Sequence, residues 1–161
     1  MEVEMKIRGL MTDPVTNIPI VVLKDSTGDT VLPIWVGPAE ASAIALEIEK
    51  VATPRPMTHD LIKNVLTGLD AHVHKVVVTE LRDDTFYAVI WLENHGSVIS
   101  IDSRPSDALA LALRVDCPIF VDEEVLKNSK RASNAADNMS GEDLRKYLEG
   151  LNDDDLGKYK M

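Results

Sequence analysis

The strongest constraint on the fold is a change of hydrophobic period near residue 37. Before it, "VEMKIRGL" alternates apolar and polar residues, which is typical of a half-buried strand. Two more apolar stretches, "IPIVVLKD" and "DTVLPIWVG", flank a Ser-Thr-Gly-Asp turn and predict a hairpin. After it, "GPAEASAIALEIEK" follows a helical period, with Gly37 as N-cap and Pro38 at the first helical position. The chain therefore begins with strands and then passes into helices.

The remaining segments again group strands and helices. "THDLIKNVLTGL" predicts a helix capped by Thr58, followed by a second hairpin and a short strand. Another helix begins at Pro105, and "CPIFVDEEVL" adds a strand and a short acidic helix. The apolar residues predicted to face inward from the first of these helices are Leu61, Ile62, Val65, Leu66 and Leu69. This order predicts an α+β fold, with a mixed, mainly antiparallel sheet and packed helices, rather than a doubly wound sheet.

The length of 161 residues suits one compact domain. We place that domain at residues 1–127, where the strands and helices are predicted. The polar segment "NSKRASNAADNMSG" predicts a flexible linker over residues 128–140. Leucines at helical spacing predict a short C-terminal helix with a charged tail over residues 141–161.

One strand of the second hairpin, "TFYAVIWLE", is apolar on both faces. Phe86, Ala88, Ile90 and Leu92 alternate with the other face, which carries Tyr87, Val89 and Trp91. Such a strand is central in its sheet or is covered by another subunit.

The composition limits the partners of the chain. A formal net charge of −10 argues against unselective nucleic-acid binding, so any such contact needs a local basic patch or bridging metal ions. The lone Cys117 rules out an internal disulfide, and its apolar neighbours favour a small buried side chain in a reducing cytoplasm. No signal peptide and no apolar run long enough to span a bilayer are present, so we expect no membrane association.

Motifs of nucleotide-driven enzymes and of structural zinc sites are missing. The sequence has no P-loop, GxGxxG, GxSxG or CxxC pair, so we expect no nucleotide or organic cofactor. What remains is a set of charged and polar residues near helix starts: Glu40, His59, Asp60, Asp102, Arg104, Ser106 and Asp107. For Glu40 and Asp107, electrostatic capping is a sufficient alternative explanation, worth about 0.3–1 kcal/mol each.

The spacing of the acids predicts a divalent-cation site. Asp102 ends a strand and Asp107 begins a helix five residues later, so their carboxylates can face one cation, with Glu40 as a further ligand. Oxygen ligands of this kind suit Mg²⁺ or Mn²⁺.

The remaining candidates predict phosphate chemistry beside that cation. The catalytic candidates are His59, Asp60 and Asp107. His59 would activate water or protonate the leaving oxygen, whereas Asp107 would bind the cation and Asp60, like Glu40, could complete its ligand shell. The substrate-binding candidates, which can hold phosphate oxygens, are Arg55, Arg104 and Ser106.

Four blocks together resemble the bifunctional nuclease domain family. They are "LPIWVGPAEASAIALE", "RPMTHDLIKNVLTGL", "TFYAVIWLE" and "IDSRPSDALALALRVDCPIFVDEEVL", in order within residues 5–126. The resemblance implies an α+β fold, a homodimer or higher homo-oligomer, and degradation of both DNA and RNA. The resemblance does not supply an agreed set of catalytic residues that could be assigned in this sequence.

Three functional hypotheses follow. The first is metal-assisted hydrolysis of phosphodiester bonds in DNA and RNA. The second is a non-enzymatic oligomeric regulator that binds a small ligand or a protein, which the acidic charge and the two-faced apolar strand favour. The third is an adaptor that recruits partners through the tail helix around residues 144–151.

Overall fold

The computed structural model describes residues 1–136, which form seven strands and four helices. The strands are β1 (Glu2–Thr12), β2 (Pro19–Asp25), β3 (Val31–Trp35), β4 (Ala71–Arg82), β5 (Thr85–Asn94), β6 (Ser97–Ser103) and β7 (Ile119–Asp122). The helices are α1 (Pro38–Ile48), α2 (Thr58–Gly68), α3 (Pro105–Val115) and α4 (Glu123–Ala136).

The strands form one sheet in the order β3-β2-β1-β7-β4-β5-β6. Every neighbouring pair is antiparallel except β4 and β7, which run parallel. Helix α3 lies in the connection between β6 and β7, because a chain that returns to a distant strand needs a crossover. The predicted α+β fold with a mixed, mainly antiparallel sheet is confirmed.

The main apolar core is formed by alternate residues of the strands and by residues of all four helices. Helix α3 is buried around most of its circumference, because it packs on the sheet and on α1 and α2. Its alternating alanines and leucines allow this close approach. The central members of the core are Met5, Leu23, Ile34, Ile44, Val76, Ile90, Leu109, Val121 and Val125.

The two apolar faces of β5 are buried to different extents. Ala88, Ile90 and Leu92 are buried in the core, whereas Val89 and Trp91 are half-buried on the opposite face. Strand β5 lies between β4 and β6, one place from the sheet edge.

The apolar face predicted for α2 is wrong. Only Leu66 is half-buried against the core, and the other four predicted residues are exposed: Leu61, Ile62, Val65 and Leu69. The pattern located an apolar stripe, but most of that stripe faces away from the core. The helix also begins at Thr58 rather than after it, and the cap is made by Asp60, which accepts a hydrogen bond from the Met57 N–H at 2.9 Å.

Helix α4 continues through Ala136, so residues 128–136 are helical where a linker was expected. Val125 anchors the helix in the core and Glu123 and Glu124 occupy its first turn, which favours continuation. The remainder of the predicted linker and the predicted tail helix lie outside the described residues.

Two smaller expectations concern Cys117 and the membrane. Cys117 is half-buried, and burial raises the pKa of its thiol to about 11, which fits a packing role. Among the residues that the structure describes, no helix is both long enough and apolar enough to cross a bilayer.

Candidate functional site

Three helices bring four of the predicted residues together at the start of α3. Glu40 comes from the first turn of α1, His59 from the first turn of α2, and Arg104 and Asp107 from the beginning of α3. We call these four residues the three-helix cluster. Proline at the first position of α1 and α3 fixes where those helices begin and so sets the positions of Glu40 and Asp107.

Asp107 is the centre of the three-helix cluster. Its Oδ1 lies 2.9 Å from Nε2 of His59, and its Oδ2 accepts a hydrogen bond from Nε of Arg104 at 2.9 Å. Burial raises the pKa of Asp107, but the hydrogen bonds from Arg104 and His59 outweigh it and hold the pKa below the usual 3.8. The carboxylate is therefore ionised at neutral pH and only accepts hydrogen bonds.

This arrangement fixes the orientation of the imidazole. Because the Asp107 carboxylate accepts, Nε2 of His59 donates, which leaves Nδ1 as the basic nitrogen of the neutral ring. The His59 side chain is only 9% exposed, so packing also restrains it. An imidazole held in one tautomer by a carboxylate is a group that can accept a proton from a bound molecule.

Arg104 is the accessible cation of the three-helix cluster. Its Nη2 donates to Glu40 Oε1 at 2.8 Å, and its guanidinium also holds Asp107. These two carboxylates raise the pKa of Arg104 above its usual value, with Asp107 contributing more. The side chain is nevertheless 64% exposed, so an incoming anion can reach it.

A second arginine, Arg114, holds the three helices together beneath this site. Its Nε donates to Asp60 Oδ1 at 2.7 Å, and its other nitrogens donate to the carbonyl oxygens of Ala43 and Ala110. The Met57 N–H and, to a smaller extent, Arg114 hold the pKa of Asp60 below 3.8, against burial. Sequence reasoning gave Arg114 no role, although a charge inside the apolar run "LALALRV" is a signal that a buried partner exists.

The other predicted residues lie apart from the three-helix cluster. Asp60 is committed to Arg114 and to the cap of α2. Ser106 is buried in the first turn of α3, and Arg55 is exposed in the loop before α2.

Asp102 is separated from Asp107 by the sheet. Asp102 pairs with Val89, and Val89 alternates with the core residues Ala88 and Ile90. Directly paired residues share a face, so Asp102 lies on the side of the sheet away from the core and the three-helix cluster.

The carboxylates of the three-helix cluster are not arranged as a cation site. Within residues 1–136, no group of three or more His, Cys, Asp or Glu side chains is arranged to hold a metal ion. Glu40 and Asp107 do offer oxygen atoms, but Arg104 is bonded to both. The guanidinium therefore occupies the carboxylates that a cation would need.

The sequence comparisons identify the family. The profile of the bifunctional nuclease domain matches residues 21–134, which is most of the chain. The chain belongs to the bifunctional nuclease domain family. An uncharacterised protein of Mycobacterium tuberculosis is 35% identical over 162 residues, covering 95% of this chain and 97% of that protein.

Plant proteins named for the activity are more distant. Bifunctional nuclease 1 of Arabidopsis thaliana is 31% identical over 110 residues, which covers 65% of this chain and 34% of the plant protein. Bifunctional nuclease 1 of Oryza sativa subsp. japonica is 27% identical over 122 residues, covering 74% of this chain and 37% of that protein. All four residues of the three-helix cluster fall within the part of the chain that matches the bifunctional nuclease domain.

Proposed function

We propose that this protein hydrolyses phosphodiester bonds in DNA and RNA at the three-helix cluster. The observation that carries the proposal is the pairing of an aspartate-oriented imidazole with an exposed arginine at the start of a helix. The family and the names of the plant relatives supply the substrate class. The N-terminus of α3 adds a favourable dipole for a phosphate group.

The proposed chemistry uses water as the nucleophile. DNA lacks the 2′-hydroxyl, so a site that cuts both polymers cannot depend on attack by that group. Nδ1 of His59 takes a proton from a water molecule while the oxygen of that water forms a bond to phosphorus. The ester P–O bond breaks, and the leaving oxygen keeps the electron pair of that bond. Solvent protonates that oxygen. Arg104 binds the non-bridging oxygens and stabilises the charge that develops on them.

Phosphate binding requires Arg104 to exchange partners. The three-helix cluster holds two carboxylates and one guanidinium, so its formal charge is −1 while His59 is neutral. A phosphate must displace Glu40 or Asp107 from the guanidinium, which is feasible because the arginine is mostly in solvent. Dependence on Mg²⁺ or Mn²⁺ stays a prediction, which the metal and EDTA conditions of the cleavage assay test.

The test is cleavage of labelled single-stranded DNA and RNA by the purified full chain with Mg²⁺, Mn²⁺ or EDTA. We expect His59→Gln and Asp107→Asn to lose at least about 100-fold in rate. His74→Gln is the matched control, because His74 Nε2 lies 2.9 Å from Glu93 Oε2 in an exposed pair on β4 and β5. Equal cutting by wild type and both cluster variants would assign the activity to another site or to a contaminant.

A non-enzymatic oligomeric regulator is the second candidate, and the exposed apolar stripe of α2 favours it. In that case Arg104 and its carboxylates bind a small anion or a protein partner without turnover. Homo-oligomerisation is proposed under both candidates. A clean wild-type protein that cuts neither polymer under any condition, yet still assembles, supports this second function.

A further inference from the structure

We propose that α2 and β6 form the surface through which two copies of this chain pair across a two-fold axis. This goes beyond oligomerisation in general, because it names the surface, and it holds whether or not the three-helix cluster cuts nucleic acid. We call this surface the α2/β6 face. Its apolar members are Met57, Leu61, Ile62, Val65 and Leu69 on or beside α2, and Ile99 and Ile101 on β6.

Each end of α2 is tied near one end of β6. The start of α2 is fixed near the end of β6, because His59 bonds Asp107 just beyond that strand. The other end of α2 is tied near the start of β6, because Asn94 Nδ2 donates to the Leu69 carbonyl oxygen at 2.7 Å and Asn94 pairs with Ser97. Helix and strand therefore run in roughly opposite directions.

Two side chains of β6, Ile99 and Ile101, point to the same side of the sheet as the helices. Ile99 pairs with Leu92 and Ile101 pairs with Ile90, and both partners are in the core. Paired residues on adjacent strands share a face. Ile99 and Ile101 therefore face the side of the sheet that carries the helices, and in this proposal they join the exposed stripe of α2 in one apolar interface.

The size of the α2/β6 face suits a protein partner. Its seven apolar side chains are each between 38% and 63% exposed. Side chains of this kind present on the order of 600 Å² of apolar surface, approaching the roughly 800 Å² that each partner buries in a standard interface. A dimer through this face would need its polar neighbours to supply about a further 200 Å² per partner.

Two features point to a second copy as the partner. Strand β6 is an edge strand whose single charged residue is Asp102, so little prevents pairing with another extended strand. A second β6 supplies such a strand, and antiparallel pairing of identical strands satisfies two-fold symmetry. The exposed positions of α2 also carry no carboxylate, which allows close approach of two copies that each bear a formal charge of −10.

Sedimentation velocity on the full chain, from about 1 to about 100 µM, tests this proposal. We expect a dimer for wild type and folded monomers for Val65→Glu and Ile101→Glu, with dissociation constants raised at least about 100-fold. The control is Val15→Glu, the same change at a valine that is 89% exposed in the turn between β1 and β2. That turn connects β1 and β2, which lie toward the opposite edge of the sheet from β6. The control should therefore remain dimeric.

Circular dichroism establishes whether each variant is folded, and Ile101→Glu decides the outcome if Val65→Glu does not fold. Hydrogen exchange on wild type supplies an independent readout. Amides on the free edge of β6 should exchange more slowly above the dissociation constant than below it. A wild type that is monomeric at about 100 µM would overturn the proposal, as would dimerisation of both folded variants or equal dissociation of Val15→Glu.

Discussion

Arg104 and Arg114 belong to the same helical segment, and each bonds a carboxylate, but their surroundings are opposite. The Arg104 side chain is 64% exposed and holds Asp107 and Glu40. The Arg114 side chain is 3% exposed and holds Asp60 together with two carbonyl oxygens. A buried guanidinium cannot give up its partners without a large desolvation cost, whereas an exposed one can exchange them for a ligand. The same residue type therefore supports the fold at one position and offers a binding group at the other.

Removing each guanidinium in turn tests whether exposure separates the roles of Arg104 and Arg114. We expect Arg114→Met to lower the free energy of unfolding by about 3 kcal/mol, because it leaves a partly buried Asp60 unpaired and frees two carbonyl oxygens. Arg104→Met should cost less than about 1 kcal/mol, as expected for an exposed ion pair. Urea denaturation measures both values. Equal losses would show that exposure does not separate the roles of the two arginines.

Catalytic activity should depend more on Arg104 than on Arg114, which is the reverse of the order for stability. If the proposed hydrolysis is correct, Arg104→Met should lower kcat/KM for single-stranded DNA and RNA by about 100-fold, because it removes the group that binds the phosphate. Arg104→Lys should lower it by about 10-fold, because an ammonium keeps the charge but loses the bidentate geometry. Initial rates on short labelled substrates provide the measurement, with circular dichroism to establish folding. Full activity in Arg104→Met would remove this arginine from the site.

The sequence was sufficient to predict features that depend on local chemistry. Gly37 with Pro38 begins α1 and Pro105 begins α3, as expected. The meeting of Glu40, His59, Arg104 and Asp107 was an assumption of the proposed mechanism that the sequence itself did not show. Contacts between distant residues were beyond it. The partner of Arg114 lies 54 positions away along the chain.

The orientation of side chains was equally difficult to predict. The face of Asp102 depends on the register between β5 and β6, which an isolated strand pattern does not specify. The stripe on α2 has the period of a helix that packs inward, and hydrophobic period alone does not tell whether such a stripe packs on the core or stays exposed.

The free energy of unfolding at acid pH tests the contributions of Asp60 and Asp107 to stability. The pKa values of Asp60 and Asp107 are both below 3.8 in the folded protein, so each contributes stability that is fully present above that value. That contribution is lost as the pH falls through the lowered pKa values. We therefore expect the free energy of unfolding to fall below about pH 4, with a shallower fall in Asp60→Asn and in Asp107→Asn than in wild type. Unfolding in urea at a series of pH values measures the slopes, and an unchanged slope in both variants would contradict the assignment.

The smallest effect concerns the pair between Glu40 and Arg104. A double-mutant cycle of Glu40→Gln and Arg104→Met should give a coupling energy of about 0.2–1 kcal/mol, because the guanidinium is mostly in solvent. The same cycle on Asp60→Asn and Arg114→Met should give a larger value, since that guanidinium is sealed in the core. Added salt should weaken the first coupling and leave most of the second, because ions screen exposed pairs more than buried ones. A coupling above about 2 kcal/mol for Glu40 and Arg104 would mean that this arginine is fixed in its ion pairs and is not free to bind a phosphate.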